Sequence, residues 1–506
     1  MPCSLLSLCS VIDAKRVETS VTATVTDLAP PSVLASRRGR AILALLCAIA
    51  FLDLIDATII NIALPDIRDD LGFGVQQLQW VPSGYLLTYG GLMLLGGRAA
   101  DLLGRRRVLL AGLTVFALAA AVGGFAGNPG VLVASRLAQG VGAAMTMPTA
   151  LSILTTTFSA PKERHTAIGV WGGVAGLASA VGVLLGGVLT EGPGWRWVMF
   201  INPIICALLI GPVLRLLPDD RPDRRPDEGA SGRRGFDLPG AAAVTAAMLL
   251  LVYTLVEAPD HGWGSARTVL GLSGAAVLFM IFLVIEARGR QPLVPLSIGR
   301  VPGLLAANTV QLAAMAGFTS MFFFLTLYMQ NILGYSPITT GLAYLPVCVV
   351  VGVSAGAGSQ LIGRVGTRPI ILVGSLLTAG GVFWLSRVPT AGTYAVDILP
   401  GMIVLSLGIG AVFVTVTAAA NAGVEPGQAG LAAALLNASQ QVGGALGLAV
   451  LSAVATAHTQ HLRHAGHGQA DALTHGFGAG LAVGAAFLVG AALLGLRTVN
   501  THTAET

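Results

Sequence analysis

The sequence predicts an all-α integral membrane protein of about fourteen transmembrane helices, and three observations carry that prediction. Hydrophobic residues make up 54% of the 506 and charged residues only 10%, against roughly 25% charged in a soluble domain. The mean hydropathy is +0.78. About fourteen apolar runs are long enough to cross a bilayer, which takes about 20 residues. Basic residues cluster in alternate connections between those runs, the pattern that fixes orientation in membranes.

Taken in order, residues 1–39 read as a disordered cytoplasmic tail closed by Arg37 and Arg38. A cleaved signal is not expected: MPCSLLSLCSV has no basic leading segment and a short apolar run, and Asp13, Lys15, Arg16 and Glu18 follow at once. An N-terminal six-helix bundle over 40–217 holds runs near 41–64, 78–97, 108–127, 131–155, 166–190 and 197–217. The segment 218–237, PDDRPDRRPDEGASGRRGFD, is rich in Pro and Arg without apolar periodicity and reads as a cytoplasmic linker. Two extra helices occupy 238–290, near 238–257 and 268–286. A C-terminal six-helix bundle over 291–497 holds runs near 303–329, 338–362, 369–387, 395–419, 429–456 and 474–496, and 498–506 forms a cytoplasmic tail. The connections bearing Arg105 to Arg107, Lys162 and Arg164, Arg221 to Arg234, Arg288 to Arg300, and Arg364 with Arg368 alternate with acid-bearing or uncharged ones. Those basic connections are expected in the cytoplasm, and an even count of crossings puts both termini there too. Two such halves meeting at mid-membrane is how many secondary transporters are built.

The 66 glycines suit close helix contact. Cys3, Cys9, Cys47, Cys206 and Cys348 have no paired spacing, so they read as reduced packing residues and not as a disulfide or metal framework. No P-loop, HExxH or nucleophile elbow is present, which argues against an enzyme and against ATP-driven pumping by this chain. A nucleic-acid partner is not expected either; the expected partners are the lipid bilayer and a small molecule.

A charge at mid-membrane costs about 2.5–3.5 kcal/mol on insertion scales, so such residues tend to be functional. Glu191, Glu257, Glu286 and Asp397 lie at helix ends and read as interfacial. That leaves Asp53 and Asp56 in FLDLIDATII, three residues apart, and Arg136 as the deep charges. Two carboxylates one helical turn apart in a low dielectric can hold a proton near neutral pH and lose it when the site opens, and a nearby arginine makes the step reversible.

The loop GGRAADLLGRRRVLL sets Gly97, Asp101 and Gly104 before Arg105 and Arg106, and IGRVGTRPI is a worn second copy in which Gly366 and Arg368 stand for Gly104 and Arg106. The arginines alone are also what positive-inside charge would give. The full spacing resembles the signature loop of the major facilitator superfamily. LVASRLAQGVGAA resembles its fourth-helix motif, with Arg136 in the membrane; IDATIINIALP and WRWVMFINP are similar to the first-helix and sixth-helix motifs of its fourteen-helix drug:proton antiporter branch. LGYSPITTGLAYLP also resembles that branch, so the likeness runs from about 41 to about 456. It implies a six-plus-two-plus-six major facilitator fold in a bacterial cytoplasmic membrane, acting as a monomer without cofactors. The implied function is multidrug or antibiotic efflux coupled to protons. The motif match favours Asp56 as the coupling acid, with Asp53 an open partner. GGVAGLASAVGVLLGGVL resembles the antiporter helix in Gly182, Gly186 and Gly187, but Val183 stands where a proline commonly follows, so the kink must come from glycine alone or be weaker.

Trp80, Tyr85, Gln139, Asn308, Gln311, Phe318, Asn437, Gln440 and Gln441 are candidate substrate contacts on cavity-lining helices of the resemblance; each is equally readable as packing or helix-to-helix hydrogen bonding. With so few acids, neutral or singly cationic substrates are expected. His458, His461, His464 and His467 recur every three residues in AHTQHLRHAGH; a metal pair or an external pH-sensitive patch is open there, against a solvated loop. A transporter of one specific metabolite and a non-transporting membrane sensor are the competing functions.

Overall fold

The computed structural model describes residues 33–74, 77–158, 160–218, 237–289, 301–422, 424 and 429–501. Most of the tail 1–39, nearly all of the linker 218–237, Arg290, Arg300 and the side chains of Asp101 and Lys162 therefore lie outside the described residues. Among the described residues there are fourteen long helices: α1 Arg37–Leu71, α2 Trp80–Leu103, α3 Arg105–Gly124, α4 Pro129–Thr157, α5 Pro161–Glu191, α6 Arg196–Leu216, α7 Leu238–His261, α8 Ala266–Arg288, α9 Leu304–Asn331, α10 Pro337–Val365, α11 Thr367–Leu385, α12 Leu399–Asn421, α13 Ala429–His464 and α14 Gln469–Gly495. Side-chain caps start several of them. Ser36 accepts from the Gly39 amide, and Asn128 accepts from the Val131 amide ahead of α4, satisfying amides that a helix start leaves without partners.

Among the described residues thirteen helices are long and apolar enough to cross a membrane. The exception, α2, has 24 residues, but Ser83, Tyr85, Thr88, Tyr89 and five glycines thin its apolar content. It packs between α4 and α13 and also meets α7, so it faces protein more than lipid.

The helix pairings repeat with an offset of eight. Thus α1 packs on α5 as α9 does on α13, α2 on α4 as α10 on α12, and α3 on α4 and α6 as α11 on α12 and α14. The halves meet through α2 with α13 and α5 with α10, a reciprocal pair under the same offset. The α7–α8 hairpin touches α2 and α13 through α7.

Expected and observed helices differ at α13. Its last two turns carry His458, His461 and His464 beyond the apolar run, so the predicted loop is helix up to His464. Glu286, expected at the interface, is instead buried. It shares one face of α8 with Thr268 and Ala275, 18 and 11 residues before it, and α7 is the neighbour of α8.

The chain turns between α2 and α3 at Gly104, φ 96, and between α10 and α11 at Gly366, φ 79, a region that favours glycine. The arginines that follow do parallel work. Arg106 Nη2 donates to the Leu214 carbonyl at the end of α6, at 2.8 Å. Arg368 Nη2 donates to the Thr498 carbonyl just after α14, also at 2.8 Å. Cations suit helix C-termini, so each half closes its third helix onto its sixth.

The halves are joined at the end opposite these arginines. There the Glu191 carboxylate accepts from the Ile338 amide at 3.2 Å, and Gln330 donates to the Ile62 carbonyl at 3.0 Å. Toward the basic end a methyl group added at Gly169, Gly172 or Gly173 of α5, or at Gly352 or Gly356 of α10, would meet nothing.

Candidate functional site

Helix α1 brings Asp53 and Asp56 into the N-terminal half one turn apart, 5% and 1% exposed. Each has its own surroundings. Arg136 of α4 is fully buried, and its Nη1 donates to Asp56 Oδ2 at 2.7 Å. Asp56 Oδ1 accepts from Asn202 Nδ2 of α6 at 2.6 Å and from Gln139 Nε2 of α4 at 3.2 Å. Arg136 also donates to Gln139 Oε1 at 3.0 Å and to the Val81 carbonyl at 3.1 Å. Its guanidinium lies over the Tyr85 ring, 4.5 Å from the centroid, a cation–π contact strengthened by exclusion from water.

Among the described residues Asp53 meets only neutral donors at hydrogen-bond distance. Tyr85 of α2 donates to Oδ1 at 2.6 Å, and Tyr89, one turn on, donates to Oδ2 at 3.0 Å. The two tyrosine rings stand 5.6 Å apart. A space between α1, α3 and α4 beside Asp53 is lined by Ile49, Leu52, Leu113, Phe116 and Thr146.

The other candidates are placed as follows. Tyr85 and Gln139, read as possible substrate contacts, are buried and engaged in holding the two acids and Arg136. Trp80 packs with Leu87, Val252, Val256, Ala445 and Ala449 at the contact of α2, α7 and α13. In the C-terminal half, Gln311 donates to Gln440 at 3.2 Å and Ser439 donates to Asn308 at 2.9 Å, joining α9 to α13. Phe318 packs edge-on against Phe322 and Phe413. Asn437 is exposed and donates to the carbonyl of Ala433. Gln441 lies against Gly90 of α2, its Cβ 2.9 Å from where a Gly90 methyl would sit.

Gly182, Gly186 and Gly187 form the face of α5 that touches α1 and α10. Methyl groups there would meet Thr58, the Ile59 carbonyl, and Ile338 with Pro337. Helix α5 runs unbroken through Val183. In the loop, Arg105 donates to Thr156 at 2.9 Å, and Gly97 lies near Pro148. Among the described residues no three metal-ligating side chains converge. His458, His461, His464 and His467 are exposed, and His467 pairs with Asp471 at 2.9 Å. Cys47, Cys206 and Cys348 are free thiols.

Asn202, Tyr89 and Ser439 were not singled out by sequence reasoning. Asn202 and Tyr89 had a usable signal, an amide inside the apolar run of WRWVMFINP and a second tyrosine one turn after Tyr85.

The family model of the Major Facilitator Superfamily matches residues 46–448. The chain belongs to that superfamily. It is 40% identical over 464 residues to the puromycin resistance protein pur8 of Streptomyces alboniger, covering 89% of each chain. It is 39% identical over 416 residues to the cephamycin export protein CmcT of Amycolatopsis lactamdurans, covering 81% of this chain and 84% of that one. Among solved structures it resembles a bacterial homolog of the human lysosomal transporter Spinster in an inward-facing, occupied conformation, at TM-score 0.62 and 18% identity, covering 91% and 96% of the two chains. As a superfamily member with thirteen helices fit to cross a bilayer, it is a multi-pass membrane protein of a transporter family. The charge cluster Asp53, Asp56 and Arg136 falls within the matched superfamily region.

Proposed function

We propose that the chain exports small, mostly lipophilic drug-like molecules, antibiotics among them, from the cytoplasm in exchange for protons. The basic ends of the helices and both termini face the cytoplasm in this reading, and the protein works as a monomer by alternating access. Export of a drug-like substrate is supported by relatives named for puromycin resistance and cephamycin export.

Proton coupling is supported by one observation above others: two buried carboxylates face a single buried guanidinium. One negative charge is left over inside a bundle that spans a membrane, where an unmet charge is costly. Taking up a proton removes the excess, and giving it up restores it. Asp53, Asp56 and Arg136 are the coupling group in this reading. The loop from Gly97 to Arg106 and the glycine face of α5 shape the movement of the halves. Empty space beside Gly169, Gly172, Gly173, Gly352 and Gly356 toward the basic end, with α5 touching α10 at the other, suits a carrier open to the cytoplasm.

The test uses inverted vesicles with an imposed pH gradient and a panel containing puromycin, a cephamycin and the dye ethidium. Gradient-dependent accumulation of at least one compound is expected, and none under any gradient refutes the proposal. Each of the two relatives is named for a single antibiotic or class, which favours a narrow range over a broad one; the same panel decides between them.

A further inference from the structure

The two acids of α1 differ in what a proton would break. Asp56 accepts three hydrogen bonds, one from the Arg136 guanidinium. Protonating it would leave a buried guanidinium without its counter-charge. Asp53 accepts from two neutral phenols. The charged and titratable groups around it are Asp56 on its own helix, Tyr85 and Tyr89 on α2, and Arg136 on α4, already committed to Asp56. Leu113 and Phe116 of α3 and Thr146 of α4 complete its surroundings and do not titrate. On the other half, Gln441 of α13 packs against Gly90, the residue that follows Tyr89 on α2.

Resting on the proton-driven reading, we propose that Asp53 carries the exchanged proton and that Tyr89 passes its protonation state to Gln441, across the contact between the halves. As a carboxylate, Asp53 takes a hydrogen from both tyrosines. Adding one proton forms a single O–H bond and breaks no covalent bond, but it turns one carboxyl oxygen from acceptor into donor. One phenol must then accept instead of donate. Tyr85 is held under the Arg136 guanidinium, whereas Tyr89 has no such cation over it among the described residues and is followed by Gly90, on which Gln441 packs. The released Tyr89 hydroxyl donates to the Gln441 side-chain carbonyl and ties α2 to α13, where Gly90 already packs against Gln441, Val442 and the Ala438 carbonyl. When the proton leaves, Tyr89 returns to Asp53 and the tie is lost.

The direction suits exchange. The loaded carrier favours the halves joined as they are here, closed at the end away from the basic loops, so a proton taken from that side is carried toward the cytoplasm. Gln79, just before α2, and Ser83 on it are buried on that side of Tyr85, and their side-chain polar atoms have no partner among the described residues. In this proposal those two side chains line the route by which the proton reaches Asp53, since buried polar groups of this kind are where internal water binds.

The experiment uses the full chain in proteoliposomes, with the panel compound that the wild type accumulates most. With one proton per substrate, a one-unit pH gradient supports about tenfold accumulation, since one unit is one decade in an equilibrium. Asp53→Asn is expected to lose that accumulation while still exchanging labelled for unlabelled substrate, and its exchange rate no longer responds to pH. Tyr89→Phe and Gln441→Leu are each expected to slow gradient-driven turnover severalfold while keeping the pH response of exchange. The double variant should be no slower than the slower single, because both changes remove one link. Circular dichroism and monodisperse elution check that each variant is folded. If Asp53→Asn accumulates as the wild type does and Asp56→Asn alone has pH-independent exchange, the assignment is overturned. A wild type that ignores the gradient refutes the proton-driven reading itself.

Discussion

Removing either partner of the Arg136–Asp56 pair should destabilise the protein more than removing both. In Asp56→Asn the side chain has one acceptor oxygen where the native residue has two, and those two serve Arg136 on one side and Asn202 with Gln139 on the other. The new NH2 group must face either the guanidinium or two amide donors. The guanidinium stays buried and charged, with only the Val81 carbonyl, Gln139 and the Tyr85 ring to meet it. Breaking a buried pair in this way costs about 3–5 kcal/mol. For a cooperative unit of the size of one half, that corresponds to a loss of roughly 6–20 °C in melting temperature. The chain still inserts, because an isosteric neutral residue lowers no helix's apolarity, but driven efflux is lost. The assay is thermal melting of the purified chain in detergent for wild type, Asp56→Asn, Arg136→Gln and the double variant. The double variant should melt above each single variant, since it leaves no lone buried charge. Independent sites add to within about 0.5 kcal/mol, so a double variant that loses the sum of the two single losses refutes the account of the pair as a closed ionic unit.

Further outcomes follow from the packing. Gly187→Ala places a methyl group 2.7 Å from the Ile338 Cα and should push α5 off α10 at their joined end, lowering transport severalfold; dye efflux from cells, normalised to protein inserted, measures it. Arg106→Ala removes the donor to the Leu214 carbonyl and should cost about 1 kcal/mol, read as a lower melting temperature with partial recovery in Arg106→Lys. Gly447→Ala drives a methyl group into the backbone of Ala316 on α9, and overpacking of this kind costs about 1–3 kcal/mol; a melting temperature equal to wild type would show that α9 and α13 can part freely.

The crossings were legible because hydropathy marks them whatever the tertiary contacts are. The end of α13 was not, since His458, His461 and His464 extend a helix that the apolar run has left. The acids and Arg136 could be found by elimination, being the charges that remained far from helix ends. Which partner served which acid was hidden: Tyr85 and Gln139 carry side chains equally suited to a substrate, and only the crossing of α1, α2 and α4 commits them to Asp53 and Asp56. Glu286 shows the reverse limit. Its position near a helix end suggested solvent, and the face it occupies on α8 decided otherwise.

The placement of α7 has a consequence for how a greasy molecule reaches the interior. A carrier made of two halves has two lateral doors to the lipid, one along each seam. Along the α2–α13 seam, α7 packs Val252 and Val256 against Leu87, Ala445 and Ala449 and brings Thr245 to Gly91, so this door is shut. Among the described residues no extra helix covers α5 and α10 in this way, and their glycines with nothing beside them lie on the cytoplasmic side in the proposed orientation. In the proposed orientation the seam between α5 and α10 is therefore the side left for a compound dissolved in the inner leaflet to approach from.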